Sequence, residues 1–527
     1  MISSKNRINF FFLAIILSYG IYCALTIGKS WDSFFFIDIG KNRLSYLMSF
    51  GSSDFEERII SQLYPATYNT LSAFFLQIFP RSFELEAYHF LNFSISFLGA
   101  VGLYRLTKKL FNKNIGVLTF FIFILYPIFF GHMAVNDRDT VVLFSHIWIT
   151  YYIFKYLDLN KKKNKRYIYY ISIFLALGLG VIFAFAATLI TIIFYGLYII
   201  YKKKLKIKSK DILLDCLKVV LISISIVILF WVPTHEDLIN KPLELIRQSF
   251  DRGWGYPFAF VNGVVFESNN VSSFYILKNL FFKTPEYILF LYLLFIFFLK
   301  DIGIFYSELI KDFSEKTIFV LINIFFPSML LLLNPYAIYD GMRLFLFIIP
   351  YFAIIPGLTL FYLLKSYKRR LNKFLLFFIG GLSFYFLIFF ITITPYHYTY
   401  LNIFTGTFSN TINKFENDYW GTSLKELIIR MNKNKLITSR DYVKINICGL
   451  SKGSVKYYLK KNKNIKYKLV GEDQDPDFIM LSNRVLWNYD AKKNIKNITC
   501  FDKYKGKNIV EVRRRGLVLS AIKELNN

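Results

Sequence analysis

The chain has 527 residues, 55% of them hydrophobic and 20% aromatic, with a formal net charge of +29. That apolar share lies outside the range of soluble domains. The positive charge does not mark a nucleic-acid binder, because Lys and Arg gather in short runs between long apolar stretches, as in the loops of membrane proteins.

A helix needs roughly 17–25 apolar residues to cross the hydrocarbon core. Eleven stretches are predicted to do so: 9–27, 86–106, 114–131, 139–156, 167–182, 184–201, 212–233, 284–300, 317–334, 344–364 and 374–394. Lys5 and Arg7 ahead of the first run also fit a signal peptide. That run of about eighteen residues exceeds an h-region of 7–15, so it is read as a span. Basic runs follow the second, fourth, sixth and tenth spans: Lys108–Lys113, Lys161–Arg166, Lys202–Lys210 and Lys365–Lys373. The turns Gly131–Asp139 and Asn334–Arg343 carry acidic partners for their arginines. Basic loops lie inside, so the N-terminus is expected in the cytoplasm and everything after 394 outside it.

Three outer segments hold the polar chemistry. The loop 28–85 starts with Trp31-Asp32 and contains an apolar stretch, Tyr64–Pro80, predicted as a helix lying in the membrane interface. The second is the turn Gly131–Asp139, and the third is the loop 234–283. Inside the spans, ionisable residues are nearly absent; Arg105 and His146 are the main ones. Ion-coupled transporters carry such groups near the bilayer midplane, so the pattern argues for chemistry at the outer surface.

Beyond Trp420 the composition turns mixed and basic. Strands are predicted at Lys444–Cys448, Lys466–Val470, Asp477–Leu481 and Ile509–Arg513, with a helix near Val455–Lys461. The expected organisation is an all-α polytopic membrane domain over 1–394, an outer juxtamembrane segment over 395–430, and a small α/β domain over 431–527 that covers the outer cavity. Cys448 and Cys500 fall in that outer domain, where a disulfide can form; the sequence leaves their pairing open. His132 and His397 have no companion at metal-ligand spacing.

Several strings carry a resemblance. They are the Asp after the first span, the Tyr64-Pro65 interface helix, Asn262-Gly263 with Lys283-Thr284-Pro285-Glu286, Tyr339-Asp340-Gly341-Met342-Arg343, and Phe415-Glu416-Asn417-Asp418-Tyr419-Trp420-Gly421. In this order, over about residues 25–430, the chain resembles the C-class membrane glycosyltransferases. The group it looks most like is the protein O-mannosyltransferases and aminoarabinose transferases (glycosyltransferase family 39 and relatives, bacterial branch). Two departures stand out: Ser33 replaces a second carboxylate after Asp32, and Leu344 stands where a His is common.

The resemblance implies inverting transfer of a hexosyl or pentosyl unit from a polyprenyl-phosphate carrier to a protein, glycolipid or polysaccharide acceptor, at the outer face of a bacterial inner membrane. Asp32 would be the general base. Asp139 would orient the acceptor or a divalent cation, and reads equally as a helix N-cap. Arg343 would hold the donor phosphate through its planar fork, with Arg138 and Lys283 as further candidates; Arg343 also fits a snorkelling residue at a membrane boundary. Tyr64, Asp340, Asp418, Tyr419 and Trp420 would contact substrate, although Tyr419 and Trp420 also suit interface anchors. A lipid or polysaccharide transporter and a non-catalytic membrane scaffold are the competing readings.

Overall fold

The computed structural model describes residues 4–53, 55–158, 165–202, 209–250, 256–333, 336–461, 465–490, 492 and 497–525. Most of the basic runs Lys161–Arg166 and Lys202–Lys210, and part of the turn Asn334–Arg343, lie outside the described residues.

Each of the eleven apolar stretches lies on helix, but they are not eleven unbroken spans. Among the described residues, five helical segments are long and apolar enough to cross a membrane: Arg81–Leu110, Lys210–Phe230, Phe313–Leu333, Arg343–Lys365 and Arg370–Thr392. A sixth appears if Tyr275–Phe282 and Glu286–Phe297, bent by 114° at Lys283-Thr284-Pro285, count as one. Two of the breaks have a local cause: Pro127 interrupts its run and Pro285 stands at the bend, each removing a backbone donor and pushing the preceding residue out of the helical region. The 114–131 stretch thus becomes Lys113–Ile124 and Pro127–His132. Leu213, Leu217, Phe374, Phe377 and Ile391 remain exposed on long helices whose backbone bonds close internally. That is the surface of an integral membrane protein.

The interface stretch after Tyr64 forms a ten-residue helix, Thr67–Leu76, packed on Ser33–Met48. The two backbones approach so closely that a Cβ on Gly40 would meet the Asn69 carbonyl oxygen at 2.2 Å, so only glycine fits. A further helix, Leu299–Leu309, buries Ile302 and Tyr306 on one side.

The C-terminal part folds around a five-stranded mixed sheet. Its strands are β3 Val443–Cys448, β4 Tyr467–Leu469, β5 Phe478–Ser482, β6 Asn508–Arg514 and β7 Leu517–Glu524, while β1 Phe258–Val261 and β2 Val264–Glu267 form a separate hairpin. β3 runs parallel to β4 and β5, joined to β4 through helix Lys452–Lys461; β7 is antiparallel to β5 and β6. Four strands were expected from alternation; β7 was not, because Leu517–Glu524 is buried along nearly its whole length and shows no two-residue period. Cys448 at the end of β3 and Cys500 are joined by a disulfide, with Cα atoms 5.7 Å apart.

The sheet sits over the ends of the membrane helices. Ser423 Oγ and Ser520 Oγ are 2.7 Å apart, and Arg514 on β6 ion-pairs with Glu426. At the far end of the Asp139–Tyr156 helix, about 27 Å away at 1.5 Å per residue, Lys109 pairs with Asp158.

Candidate functional site

Under the sheet, the helix ends enclose a half-open cavity of about 430 Å³. Its walls come from four chain segments that lie far apart in sequence: Trp31–Phe36, Tyr339–Arg343, Tyr419-Trp420, and Arg484 with Trp487. Ile60, Tyr64, Arg138 and Tyr256 complete them.

Close backbone approaches assemble these walls. A Cβ on Gly28 would lie 2.1 Å from the Thr422 carbonyl oxygen, so glycine lets the chain entering Trp31-Asp32 lie against the Trp420 turn. Asp340 (φ 55°) and Gly341 (φ 65°) both adopt the left-handed conformation. This reverses the chain so that the Asp340 carboxylate meets the guanidinium three residues on.

Arg343 is the hub. Its Nη1 lies 2.8 Å from Asp340 Oδ2, its Nε 3.2 Å from Asp139 Oδ2, and its Nη2 3.6 Å from Asp32 Oδ2. Its Cζ stands 4.3 Å from the Trp420 ring centroid. Asp340 also reaches Arg484 Nη2 at 3.2 Å, which ties the C-terminal sheet into the same network. Of the three carboxylates around Arg343, Asp340 is 2% and Asp139 15% exposed, whereas Asp32 is 37% exposed. Asp32 precedes the Ser33–Met48 helix without capping it; Ser33 Oγ accepts from the Ser30 N–H instead. The Asp32 carboxylate is therefore left to the cavity.

Asp139 is not the N-cap of its helix. Asn136 Oδ1 accepts from the N–H groups of Arg138 and Asp139, which frees the Asp139 side chain for Arg343. Arg138 stacks on the ring of Tyr64, Cζ 4.8 Å from its centroid. Trp420 and Tyr419 are 3% and 2% exposed, so they are walls of the cavity and not interface anchors.

Two expected site residues lie elsewhere. Asp418 is fully buried inside its own turn, accepting from the N–H groups of Thr422 and Ser423 and from the Tyr398 hydroxyl. Its oxygens are consumed by local structure. Lys283, at the bend between Tyr275–Phe282 and Glu286–Phe297, lies behind the wall, its Nζ 5.9 Å from the Tyr419 ring centroid.

A divalent cation at Asp139 does not fit this donor set. Asp139 Oδ2 already serves Arg343 and Asn136, and among the described residues no three His, Cys, Asp or Glu side chains converge in a metal-binding group.

Glu416, behind the cavity, accepts from the Val485 N–H. Burial pushes its carboxyl up to about 7, against the pull of Arg484. A folded-state value above the ordinary carboxylate range means stability that is full below about pH 4.5 and lost as pH rises through about 7. The melting temperature of the wild type is expected to fall relative to Glu416→Gln between about pH 5 and pH 8. A difference that does not change with pH would refute the assignment.

The cavity has one more property. Among the described residues, four of its lining side chains carry a buried N–H without a hydrogen-bond partner: Trp31 Nε1, Arg138 Nε, Trp420 Nε1 and Arg484 Nε. No lining side chain carries a buried orphan acceptor. Unpaired buried donors are costly; with the guanidinium groups of Arg138, Arg343 and Arg484 in the same wall, they give the cavity a positive lining that suits an anionic ligand.

The architecture has known counterparts. Residues 65–231 match the family model described as dolichyl-phosphate-mannose-protein mannosyltransferase. The crystal structure of ArnT from Cupriavidus metallidurans in the apo state superposes with a TM-score of 0.54 at 9% identity, covering 99% of this chain and 98% of that one. The same protein bound to undecaprenyl phosphate gives 0.52, with equal identity and coverage. The Archaeoglobus fulgidus oligosaccharyltransferase in the apo form gives 0.44 at 12% identity, covering 88% of this chain and 65% of that one. No curated protein matches the sequence. The chain thus has the fold of the ArnT structures.

Proposed function

We propose that this chain transfers a sugar from a polyprenyl-phosphate carrier to an acceptor hydroxyl at the outer face of the membrane, with inversion at the anomeric carbon. The observation that carries the reading is the cavity in which a carboxylate open to it, Asp32, faces Arg343, with the guanidinium groups of Arg138 and Arg484 in the same wall. Asp32 takes the proton of the acceptor hydroxyl as its oxygen attacks the anomeric carbon, and the bond to the carrier phosphate breaks. Arg343, Arg138 and Arg484 hold the phosphate oxygens that gain charge. Asp139 and Asp340 keep Arg343 in place, while Tyr64 and Trp420 offer ring faces to the sugar. Lys283 adds positive charge from behind the wall. The ArnT structure bound to undecaprenyl phosphate supports a polyprenyl phosphate as the carrier class.

The acceptor is a hydroxyl on a protein, a glycolipid or a polysaccharide. The test is mass spectrometry of envelope glycans and glycoproteins with and without the gene. A glycoform should disappear on deletion and return with the wild type but not with Asp32→Asn. A complete set of glycoforms in the deletion strain would refute the reading.

A further inference from the structure

Tyr419 and His132 form a pair whose proton positions can be worked out from their neighbours. Asn136 Oδ1 accepts from two backbone N–H groups, those of Arg138 at 3.2 Å and Asp139 at 3.0 Å. That fixes the orientation of the amide. Its NH2 group therefore faces the Asp139 carboxylate at 2.9 Å and His132 Nδ1 at 3.1 Å. Nδ1 must offer a lone pair to that donor. A neutral imidazole has one proton, which then sits on Nε2. Burial, with Arg343 and Lys283 nearby, keeps the ring neutral. His132 Nε2 consequently donates to Tyr419 Oη, 2.7 Å away.

The phenol accepts from His132 and still has its own proton to give. Among the described residues Tyr419 Oη has no hydrogen-bond partner besides His132, and Tyr419 lines the cavity beside Arg343 and Trp420. Had the imidazole the opposite tautomer, the phenol would donate to it and turn a lone pair toward the cavity. That is the wrong polarity for an anion.

We propose that Tyr419 donates a hydrogen bond to a phosphate oxygen of the lipid carrier, and that His132 and Asn136 are positioning residues that hold the phenol in donor polarity. The inference rests on the proposed function for the identity of the ligand. It adds a neutral donor to a site otherwise served by guanidinium groups.

The test is binding of polyprenyl phosphate, without sugar, to the purified full-length protein, alongside the sugar-bearing donor. Tyr419→Phe keeps the ring that fills the wall and removes only the hydroxyl. It should weaken polyprenyl phosphate binding about tenfold or more, the scale of one hydrogen bond to a charged group. His132→Leu should give a similar loss. His132→Gln should recover most of it, because Gln carries an acceptor and a donor spaced like the two ring nitrogens. A merely structural role would not separate Gln from Leu at equal melting temperature. Binding by Tyr419→Phe within twofold of wild type would overturn the inference. So would a loss seen only with the sugar-bearing donor, or Gln and Leu variants that behave alike. If the wild type binds no polyprenyl phosphate while remaining folded, the proposed function fails together with this inference; if it binds and the variants are indifferent, only this inference fails.

Discussion

Asp32→Asn is expected to reduce sugar transfer by about 10²–10⁴-fold while leaving the protein folded. The substitution preserves shape and removes the only proton acceptor among the three Arg343 partners that is substantially open to the cavity. Because Asp32 lies 3.6 Å from Arg343 and caps no helix, little else depends on its charge. The loss should therefore fall on turnover, with donor affinity close to that of the wild type. Turnover of a polyprenyl-phosphate-linked sugar by the full-length protein in proteoliposomes measures it. Retention of a tenth or more of wild-type turnover would remove Asp32 from the role of base.

Arg343→Ala is expected to have the largest combined effect. Asp139 would lose its Arg343 partner and Asp340 would keep only Arg484, and breaking such a mostly buried pair costs about 3–5 kcal/mol. Donor binding should be lost as well, since the guanidinium that faces the cavity disappears. Arg343→Lys should keep part of the stability and little of the activity. One ammonium cannot reproduce the three-way contact of Nη1, Nε and Nη2. Melting temperature and turnover, measured side by side, separate the two effects. A stable, active Arg343→Ala would contradict the hub geometry.

Asp32, Asp139 and Arg343 drew attention through the strings that carry the resemblance, each a charged residue at the edge of an apolar stretch. Arg484 and Trp487 could not. They follow β5 in a part of the chain with no motif, and only the docking of the sheet over the helix ends brings them to the cavity. Asp418 sat in a suggestive string, yet sequence cannot distinguish a carboxylate facing a ligand from one that satisfies its own turn. The spans failed for a related reason. Hydropathy counts apolar residues and is blind to a break such as the one at Pro127, which splits the 114–131 stretch. The His132–Asn136–Asp139 relay had a partial signal, polar residues at four- and three-residue intervals in one turn, but Tyr419 completes it from nearly three hundred residues away.

The most direct test of the cavity as the seat of a lipid-phosphate reaction is photo-cross-linking with a photoactivatable polyprenyl phosphate, competed by the unlabelled lipid and mapped by peptide mass spectrometry. Competed cross-links are expected on peptides containing Trp31–Phe36, Tyr339–Arg343 or Arg484–Trp487. Cross-links confined to the opposite end of the bundle, around Lys109, Asp158 and Lys202, would contradict it.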